Sequence, residues 1–383
     1  MKRYLLVLLL AVLPLFISAQ EVVNQKISVN VGQGHDKLCI RFTSADNDRT
    51  YTYRDLNSEN VTFYSSAVGF DPESIEVWRF DDEVRLNVAM VKTPVFKMSG
   101  MPMSPLEADF KLIIEGTPEF WRYSDWELYR WESFPGILVM DFLSYNIQST
   151  MLKRLSYFVE KKGFAGKIHT FRELSGKTDW NAHNYKSKDL AAFFTMAQNE
   201  NIVLTSAETY LRNTLVANGI IKKTEYGYSG DENTGLISLS QESSPYLRGL
   251  LLTHEGYHGL FYAAEGLRGL VYNLWDNLLP EAKQMWTDYL RTANAWNYDY
   301  ENEYLLRNEL LGYLMQQKDF GEYFDKIMFP RLLQRNEEAA PDYEADRESA
   351  RASFVSMAGA IASFLNEKYN LSPGNLSYLR DVR

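Results

Sequence analysis

The period of the hydrophobic pattern changes along this chain, and that change constrains the fold more than any other sequence feature. Residues 21–115 carry short apolar runs or alternations of strand length, at 26–31, 37–42, 61–64 and 83–88, separated by Gly, Asn and Asp. Residues 116–225 mix strand-like and helix-like segments, and the chain from 235 onward has mostly helical spacing. These patterns predict an α+β protein with a β-sandwich-like domain at 21–115, an α/β region at 116–225 and a mainly helical domain at 226–383.

The individual elements of the last two regions follow from the same patterns. Strands are predicted at 136–141, 165–171, 202–205 and 235–241, and helices at 148–161, 188–199, 207–218, 245–264, 280–295, 300–317 and 346–367. Ser244 followed by Pro245 is typical of a helix start, and Gly266 is typical of the residues just past a helix end.

The first 20 residues have the three parts of a secretory signal. Lys2 and Arg3 precede an apolar run at 4–17, and residues 18–20 are small enough for cleavage. The apolar run is shorter than the roughly 20 residues that span a bilayer. We therefore expect an exported protein, periplasmic or extracellular, with no integral membrane segment after signal removal. Whether a propeptide is also removed stays open.

Charge and cysteine content limit the partners and the metal ligands available to the chain. The formal net charge of −10 argues against nucleic acid as the main partner. Cys39 is the only cysteine, so an internal disulfide cannot form and stability must come from packing. Any metal site must therefore use carboxylates and some of the five histidines.

One short motif in the helical region carries a recognisable chemistry. His254-Glu255-Gly-Tyr-His258 places two histidines four residues apart within a predicted helix, so both imidazoles project from one face. That spacing suits two ligands of a single Zn²⁺ ion. Glu255 lies beside them and is predicted to act as general base toward a zinc-activated water.

The segment before the motif helix is a candidate for binding substrate. Residues 235–241 alternate as a strand and lead shortly into the helix, after the turn-rich segment 229–235. A strand at the edge of the cleft can add an extended peptide by β-augmentation. Leu236, Ile237, Ser238 and Leu239 are therefore predicted to bind a peptide or protein substrate.

With a strand before it and acidic residues on a helix after it, this motif resembles the zincin metallopeptidases, and specifically the gluzincin branch. The resemblance covers about residues 235–317. It implies a third zinc ligand, a Glu on a separate helix that follows the motif. The metzincin pattern HExxHxxGxxH does not fit, because Phe261 and Ala264 stand at its glycine and third-histidine positions.

Three glutamates are candidates for this third ligand. Glu303 has Arg307 four residues on, which is the spacing of an ordinary surface ion pair. Glu309 is followed at the third position by Gly312, where a small residue would allow close approach to the motif helix. Glu265 would lie about 10 Å along the motif helix from the second histidine, too far to share the ion. The pattern favours Glu309 over Glu303.

The sequence thus predicts an exported zinc metallopeptidase with His254, His258 and Glu309 as ligands and Glu255 as general base. Two other hypotheses remain: a non-catalytic envelope binding or assembly protein with a metallopeptidase-like domain, and a zinc hydrolase of non-peptide amides or esters. Substrate identity, endo- or exopeptidase preference and the role of the N-terminal β-domain stay open. So does the group that stabilises an oxyanion, for which nearby tyrosines at 298, 300, 304 and 313 are candidates.

Overall fold

The structure is a computed structural model that describes residues 23–30, 35–56, 60–64, 68–70, 72–79, 87–94, 103–177, 179, 181–292 and 300–381. The predicted secretory signal at 1–20 and most of the predicted strand at 83–88 lie outside these residues. No helix in the described ranges combines the length and the apolar character needed to cross a bilayer. The fold is mixed α and β, as the sequence predicted, with a helical C-terminal region.

The N-terminal region forms two small sheets that share a core. The first sheet contains Val23–Asn30 (β1), Asn60–Tyr64 (β4) and Asn87–Pro94 (β6). The second contains His35–Thr43 (β2), Asp48–Leu56 (β3), Ser74–Arg79 (β5) and Leu379–Asp381 (β14). Phe63 of the first sheet packs edge-on against Phe42 of the second, with ring centroids 4.7 Å apart. The strand orders are β4–β1–β6 in the first sheet and β14–β3–β2–β5 in the second, and every pairing is antiparallel.

A five-stranded sheet forms the centre of the remaining chain. Its strands are Leu106–Ala108 (β7), Trp126–Trp131 (β8), Ile137–Phe142 (β9), His183–Lys186 (β10) and Gly235–Ser240 (β13). Their order in the sheet is β10–β13–β9–β8–β7, and the middle strands β9 and β13 run parallel with all their residues buried. Full burial requires a layer on each face of the sheet, and their near-continuous apolar sequences reflect this. Ile221–Thr224 (β11) and Gly227–Gly230 (β12) form a separate hairpin.

Helices cover both faces of this sheet and continue as a helical region after it. The α-helices are Phe110–Glu115 (α1), Tyr145–Val159 (α2), Ser187–Asn199 (α3), Ser206–Ala217 (α4), Pro245–Ala263 (α5), Leu267–Asp276 (α6), Pro280–Thr292 (α7), Glu303–Met315 (α8), Phe320–Tyr323 (α9), Phe329–Arg335 (α10) and Ala340–Tyr369 (α11). Phe324–Met328 is a π-helical turn that joins α9 to α10, and Pro118–Phe120 and Glu337–Ala339 are 3₁₀ turns.

Helix α5 carries the histidine motif and packs directly on the central sheet. Ser244 caps its start by accepting a hydrogen bond from the Leu247 N–H, and Pro245 occupies its first turn, as predicted. Gly259 lets the helix approach closely, because a Cβ there would lie 2.8 Å from Ile137 Cδ1 of β9 and 3.3 Å from Ile237 Cδ1 of β13. The opposite face of the sheet, with Leu138 and Leu236, packs against α2, α3 and α4.

A buried ion pair fixes the first turns of α5 to the sheet. Arg248 donates to both carboxylate oxygens of Asp141 at 2.9 Å, and Gln241 Nε2 donates to the same carboxylate at 2.7 Å. Asp141 is completely buried and Arg248 is 4% exposed. Burial raises the pKa of Asp141, and the Arg248 charge and hydrogen bonds act against this rise. Both charges have partners, which is the condition under which buried charges are tolerated.

The C-terminal segment returns across the molecule and holds α5 and α8 in place. Tyr257 of α5 donates a hydrogen bond to the Ser372 carbonyl at 2.9 Å, and the Gly374 N–H donates to the Met315 carbonyl of α8 at 2.7 Å. The segment then ends as β14, which pairs with β3 of the N-terminal sheet. Residues from both ends of the chain therefore contribute to one sheet.

The structure differs from several predicted elements. Residues 165–171 and 202–205 are turns and irregular chain rather than strands, and Gly163 and Gly166 adopt positive φ at the start of the first segment. The predicted helices at 245–264, 280–295 and 300–317 are present as α5, α7 and α8, the end of the second lying outside the described residues. Helix α6 was not predicted, because its ten residues include Gly269 and follow Gly266 directly.

Replacing Arg248 with Met should lower the free energy of unfolding by about 3–5 kcal/mol, because the Asp141 charge would remain buried without its partner. Arg268→Met is the matched control, since Arg268 forms an exposed pair with Glu232 and such pairs contribute about 0–1 kcal/mol. Urea denaturation of both variants measures the difference. Equal effects from the two substitutions would contradict this account of the ion pair.

Candidate metal centre

Helices α5 and α8 cross in opposite directions and bring two histidines and one carboxylate together. His254 Nε2 and His258 Nε2 are 3.0 Å apart. Glu309 Oε2 lies 3.5 Å from His254 Nε2, and Glu309 Oε1 lies 3.6 Å from His258 Nε2. Among the His, Cys, Asp and Glu side chains of the described residues, these three place their ligand atoms close enough together to hold a metal ion.

These separations fit the donor set of a tetrahedral zinc site. Ligand atoms about 2.0–2.2 Å from a tetrahedral zinc ion are separated from one another by roughly 3.3–3.6 Å. The three observed distances lie at or slightly below that range. Two imidazoles and one carboxylate also leave a coordination position for water or substrate, as catalytic zinc sites do.

Each histidine is oriented by an amide oxygen from the α8 side of the site. His258 Nδ1 lies 3.1 Å from Asn308 Oδ1, and His254 Nδ1 lies 2.9 Å from Gln316 Oε1. An amide oxygen only accepts hydrogen bonds, so each ring donates from Nδ1 and points Nε2 toward Glu309. Such contacts fix the ring orientation and the tautomer that a metal needs.

Gly312 allows α8 to come this close to the histidines. A Cβ at Gly312 would lie 2.7 Å from His254 Cε1 and 2.9 Å from His258 Cε1, closer than side chains pack. Asn308 and Gly312 of α8, together with Gln316, which caps its C-terminal end, recur every four residues and therefore share one face. Glu309 is adjacent to that face, so one helix supplies the carboxylate, the two orienting amides and the space for both rings.

Burial and mutual charge shift the pKa values of His254, Glu255 and His258. Burial, reinforced by the His254 charge, lowers the pKa of His258 to about 4, so this ring is neutral at pH 7. Burial also lowers the pKa of His254, but the hydrogen bond and charge of Glu309 and the charge of Glu255 outweigh it and leave that pKa raised. Burial raises the pKa of Glu255 to about 7, with the His254 charge opposing the shift and the Glu309 charge adding to it.

The metal centre opens into a cleft of about 940 Å³. The α5 residues Leu250, Leu251, His254, Glu255 and His258 line its base. One part of the wall is formed by the α2–β10–α3 region and another part by α7, α8 and the helical run at 320–335. Glu255 therefore faces the same space as the three candidate ligands.

The other two glutamates considered for the third ligand lie elsewhere. Glu303 is paired with Arg307 at 2.7 Å and its side chain is 69% exposed. Glu265 is 92% exposed and faces Lys368 at 3.6 Å. Of the three glutamates considered, Glu309 is the one that the structure brings beside His254 and His258.

Strand β13 does not occupy the position that substrate pairing requires. It is hydrogen-bonded to β10 on one side and β9 on the other, so Leu236, Ile237, Ser238 and Leu239 have no open edge for a peptide. Their side chains are buried, Ile237 and Leu239 within the core cluster that includes α5 and Leu236 within the cluster that includes α2, α3 and α4. In the described part of the chain, the outermost strand of this sheet is β10.

Sequence reasoning missed β10, Asn308 and Gln316. Strand β10 covers only four residues, too short for its alternation to stand out. For Asn308 and Gln316 a signal was available, because two polar residues at four-residue spacing on either side of a glycine interrupt an otherwise apolar helix face. Among the tyrosines considered, Tyr313 packs edge-on against His254 at 5.1 Å, Tyr304 lines the cleft, and Tyr298 lies outside the described residues.

No protein-family model, curated protein or solved structure matches this chain. Its function must therefore be inferred from the geometry of the metal centre and the cleft.

Gly312→Ala should lower the zinc affinity by about 10- to 100-fold, because the added methyl group would push both histidine rings away from Glu309. Gly249→Ala is the matched control, since it lies in α5 and a Cβ there meets nothing within 4 Å. That control should gain about 0.5–1 kcal/mol of stability from lower backbone entropy. Competition with a chromogenic chelator measures affinity. Unchanged zinc affinity in Gly312→Ala would contradict this role of the glycine.

Proposed function

We propose that this protein is a zinc-dependent peptidase. The observation that carries the proposal is the convergence of His254, His258 and Glu309 at the base of a wide cleft that Glu255 also lines. A buried ligand group with no access to a substrate would instead suggest a structural metal. Access from the cleft favours a catalytic centre.

In this proposal His254, His258 and Glu309 hold the metal, and Asn308 and Gln316 keep the two rings oriented toward it. A bound zinc ion supplies Lewis-acid chemistry, polarising a carbonyl and lowering the pKa of water toward neutrality. Glu255 is next to His254 on α5 and lines the cleft, so it can accept a proton from the attacking water and return it to the leaving amine.

The outer strand β10 supports a peptide as the substrate. Asn181, Ala182, Asn184 and Lys186 of this strand and its approach line the cleft. Asn184 and Lys186 point to the α5 side, where Asn184 Nδ2 donates to the Tyr262 hydroxyl at 3.2 Å. An extended peptide laid along β10 would add a strand to the sheet and bring its backbone over the metal centre.

The size of the cleft also favours a peptide over a small amide or ester. Its volume of about 940 Å³ is near the upper end of the roughly 300–1,000 Å³ of sites that enclose one small molecule. A non-peptide amide or ester hydrolase has no comparable need for an outer strand beside the reacting group. The apparent secretory signal supports a place of action outside the cytoplasm, in the periplasm or beyond the cell.

Glu255→Gln should keep one zinc ion per chain and reduce peptide hydrolysis by about 10²–10⁴-fold, the usual contribution of a general base. Glu309→Gln should lose zinc and activity together, whereas Glu303→Gln, on the exposed ion pair of the same helix, should lose neither. Metal analysis and a mass-spectrometric cleavage assay give both readouts. Hydrolysis that persists in Glu255→Gln would refute the mechanism, and a chain that binds no zinc would favour the binding or assembly role.

Methylating backbone nitrogens of a cleaved peptide tests the role of β10. An N-methyl group on an amide that pairs with the strand removes one hydrogen bond, so cleavage should fall by roughly 3- to 10-fold. Alternate amides should be affected, because every second residue of a strand faces its neighbour. Equal tolerance at every position would show that the substrate does not bind as an added strand.

A further inference from the structure

The helical part of the cleft wall, formed by α7, α8 and residues 320–335, contains a cationic side chain with no part in the candidate metal centre. Residues 320–335 form one continuous helical run, and Tyr323, Ile327 and Arg331 line the cleft from it at four-residue spacing. The π-helical turn Phe324–Met328 lies within this run, and such turns occur frequently at functional sites. The run therefore presents a specific stripe of side chains to the cleft.

Arg331 makes no ion pair within the described part of the chain, although acidic residues lie close to it in sequence. Glu322 pairs with Lys326, and Asp325 pairs with Arg347 and Arg351. Each nearby carboxylate thus has a different basic partner. The Arg331 side chain is exposed and its guanidinium is available to a ligand in the cleft.

A group of tyrosine rings connects Arg331 to the metal centre. Tyr313 packs against His254 at 5.1 Å and against Tyr323 at 6.1 Å, and the Tyr323 hydroxyl lies 3.0 Å from that of Tyr289. All three tyrosines line the cleft. Arg331 lines the same cleft as these rings and lies two turns beyond Tyr323 in the helical run at 320–335. An apolar and aromatic surface therefore runs from the histidines to one guanidinium.

The two parts of the cleft wall differ in the charged side chains that they contribute. The α2–β10–α3 wall includes Glu160, Asp179 and Asp189, together with Lys162 and Lys186. The wall from α7 to α10 includes Arg331 and, apart from the candidate ligand Glu309, no carboxylate among its described residues. On this side an anionic group on a substrate meets a guanidinium that has no ion pair among the described residues.

We propose that Tyr313, Tyr323, Ile327 and Arg331 form a specificity subsite for a substrate carboxylate that neighbours an apolar or aromatic group. The proposal deepens the peptidase function and rests on it for the identity of the substrate. The guanidinium recognises the carboxylate by charge-assisted hydrogen bonds, and the rings hold the adjoining apolar part. The carboxylate is either the peptide C-terminus or an Asp or Glu side chain, and both sources offer the same group to Arg331.

Binding to the zinc-loaded Glu255→Gln protein tests this subsite separately from hydrolysis. Four dye-labelled hexapeptides, each ending in an aromatic residue, form two matched pairs. The first pair differs only in having a free or an amidated C-terminus. The second pair is amidated and differs only in having Glu or Gln before the last residue. Fluorescence anisotropy should show that at least one carboxylate form binds about five- to tenfold more tightly than its neutral counterpart. The ratio should fall as salt is added.

Arg331→Ala should abolish this preference, and Arg331→Lys should retain part of it. Arg335→Ala is the matched control: it lies one turn further along α10, is exposed and does not line the cleft, so it should leave the ratio unchanged. A preference for the free C-terminus or for internal Glu supports the subsite and identifies the source of the carboxylate.

A preference that survives Arg331→Ala, or its absence from the parent protein, would overturn the subsite. Hydrolysis of the same peptides by the protein with Glu255 intact is scored separately. Cleavage without carboxylate preference would leave the peptidase proposal standing and remove the subsite. Carboxylate-dependent binding without any cleavage would leave the subsite standing and remove the peptidase proposal.

Discussion

The close approach of α8 to α5 is the constraint on which the candidate metal centre depends. The two histidines are one turn apart on α5, and the converging group contains no further residue of that helix among the described residues. The carboxylate that meets them, Glu309, comes from a second helix, and it reaches both Nε2 atoms because Gly312 leaves room for the rings. The same face of α8 supplies Asn308 and Gln316 to the Nδ1 atoms. Ligand, orientation and space therefore arise from one helix–helix contact.

That contact requires α5 itself to be held firmly, and three parts of the chain do so. The central sheet receives α5 through Gly259, the Asp141–Arg248 pair ties its first turns to β9, and the C-terminal segment bonds to both α5 and α8 before pairing with β3. These contacts join residues far apart in sequence. A site built on helices that packing and hydrogen bonds fix in this way can hold ligand atoms to within fractions of an ångström.

The cleft has a different character on each side of the metal centre. In the proposed function β10 offers main-chain groups to an extended peptide, whereas the helical part of the wall offers tyrosine rings and Arg331. The first kind of contact tolerates many side chains because it uses the backbone, and the second distinguishes substrates by charge and shape. In the proposed peptidase, affinity and selectivity would thus come from separate walls.

The sequence by itself determined the features that depend on local spacing. The α+β class, helix α5 with its cap, the shared face of His254 and His258, and the preference for Glu309 over Glu303 all follow from periodicity, capping and the small residue at Gly312. Only the tertiary structure decided that β13 lies inside the sheet and β10 outside it, because strand order depends on long-range pairing that a single strand's pattern does not encode. It also decided that Arg331 faces the same cleft as Glu255, since residues 76 positions apart meet only through the packing of several helices.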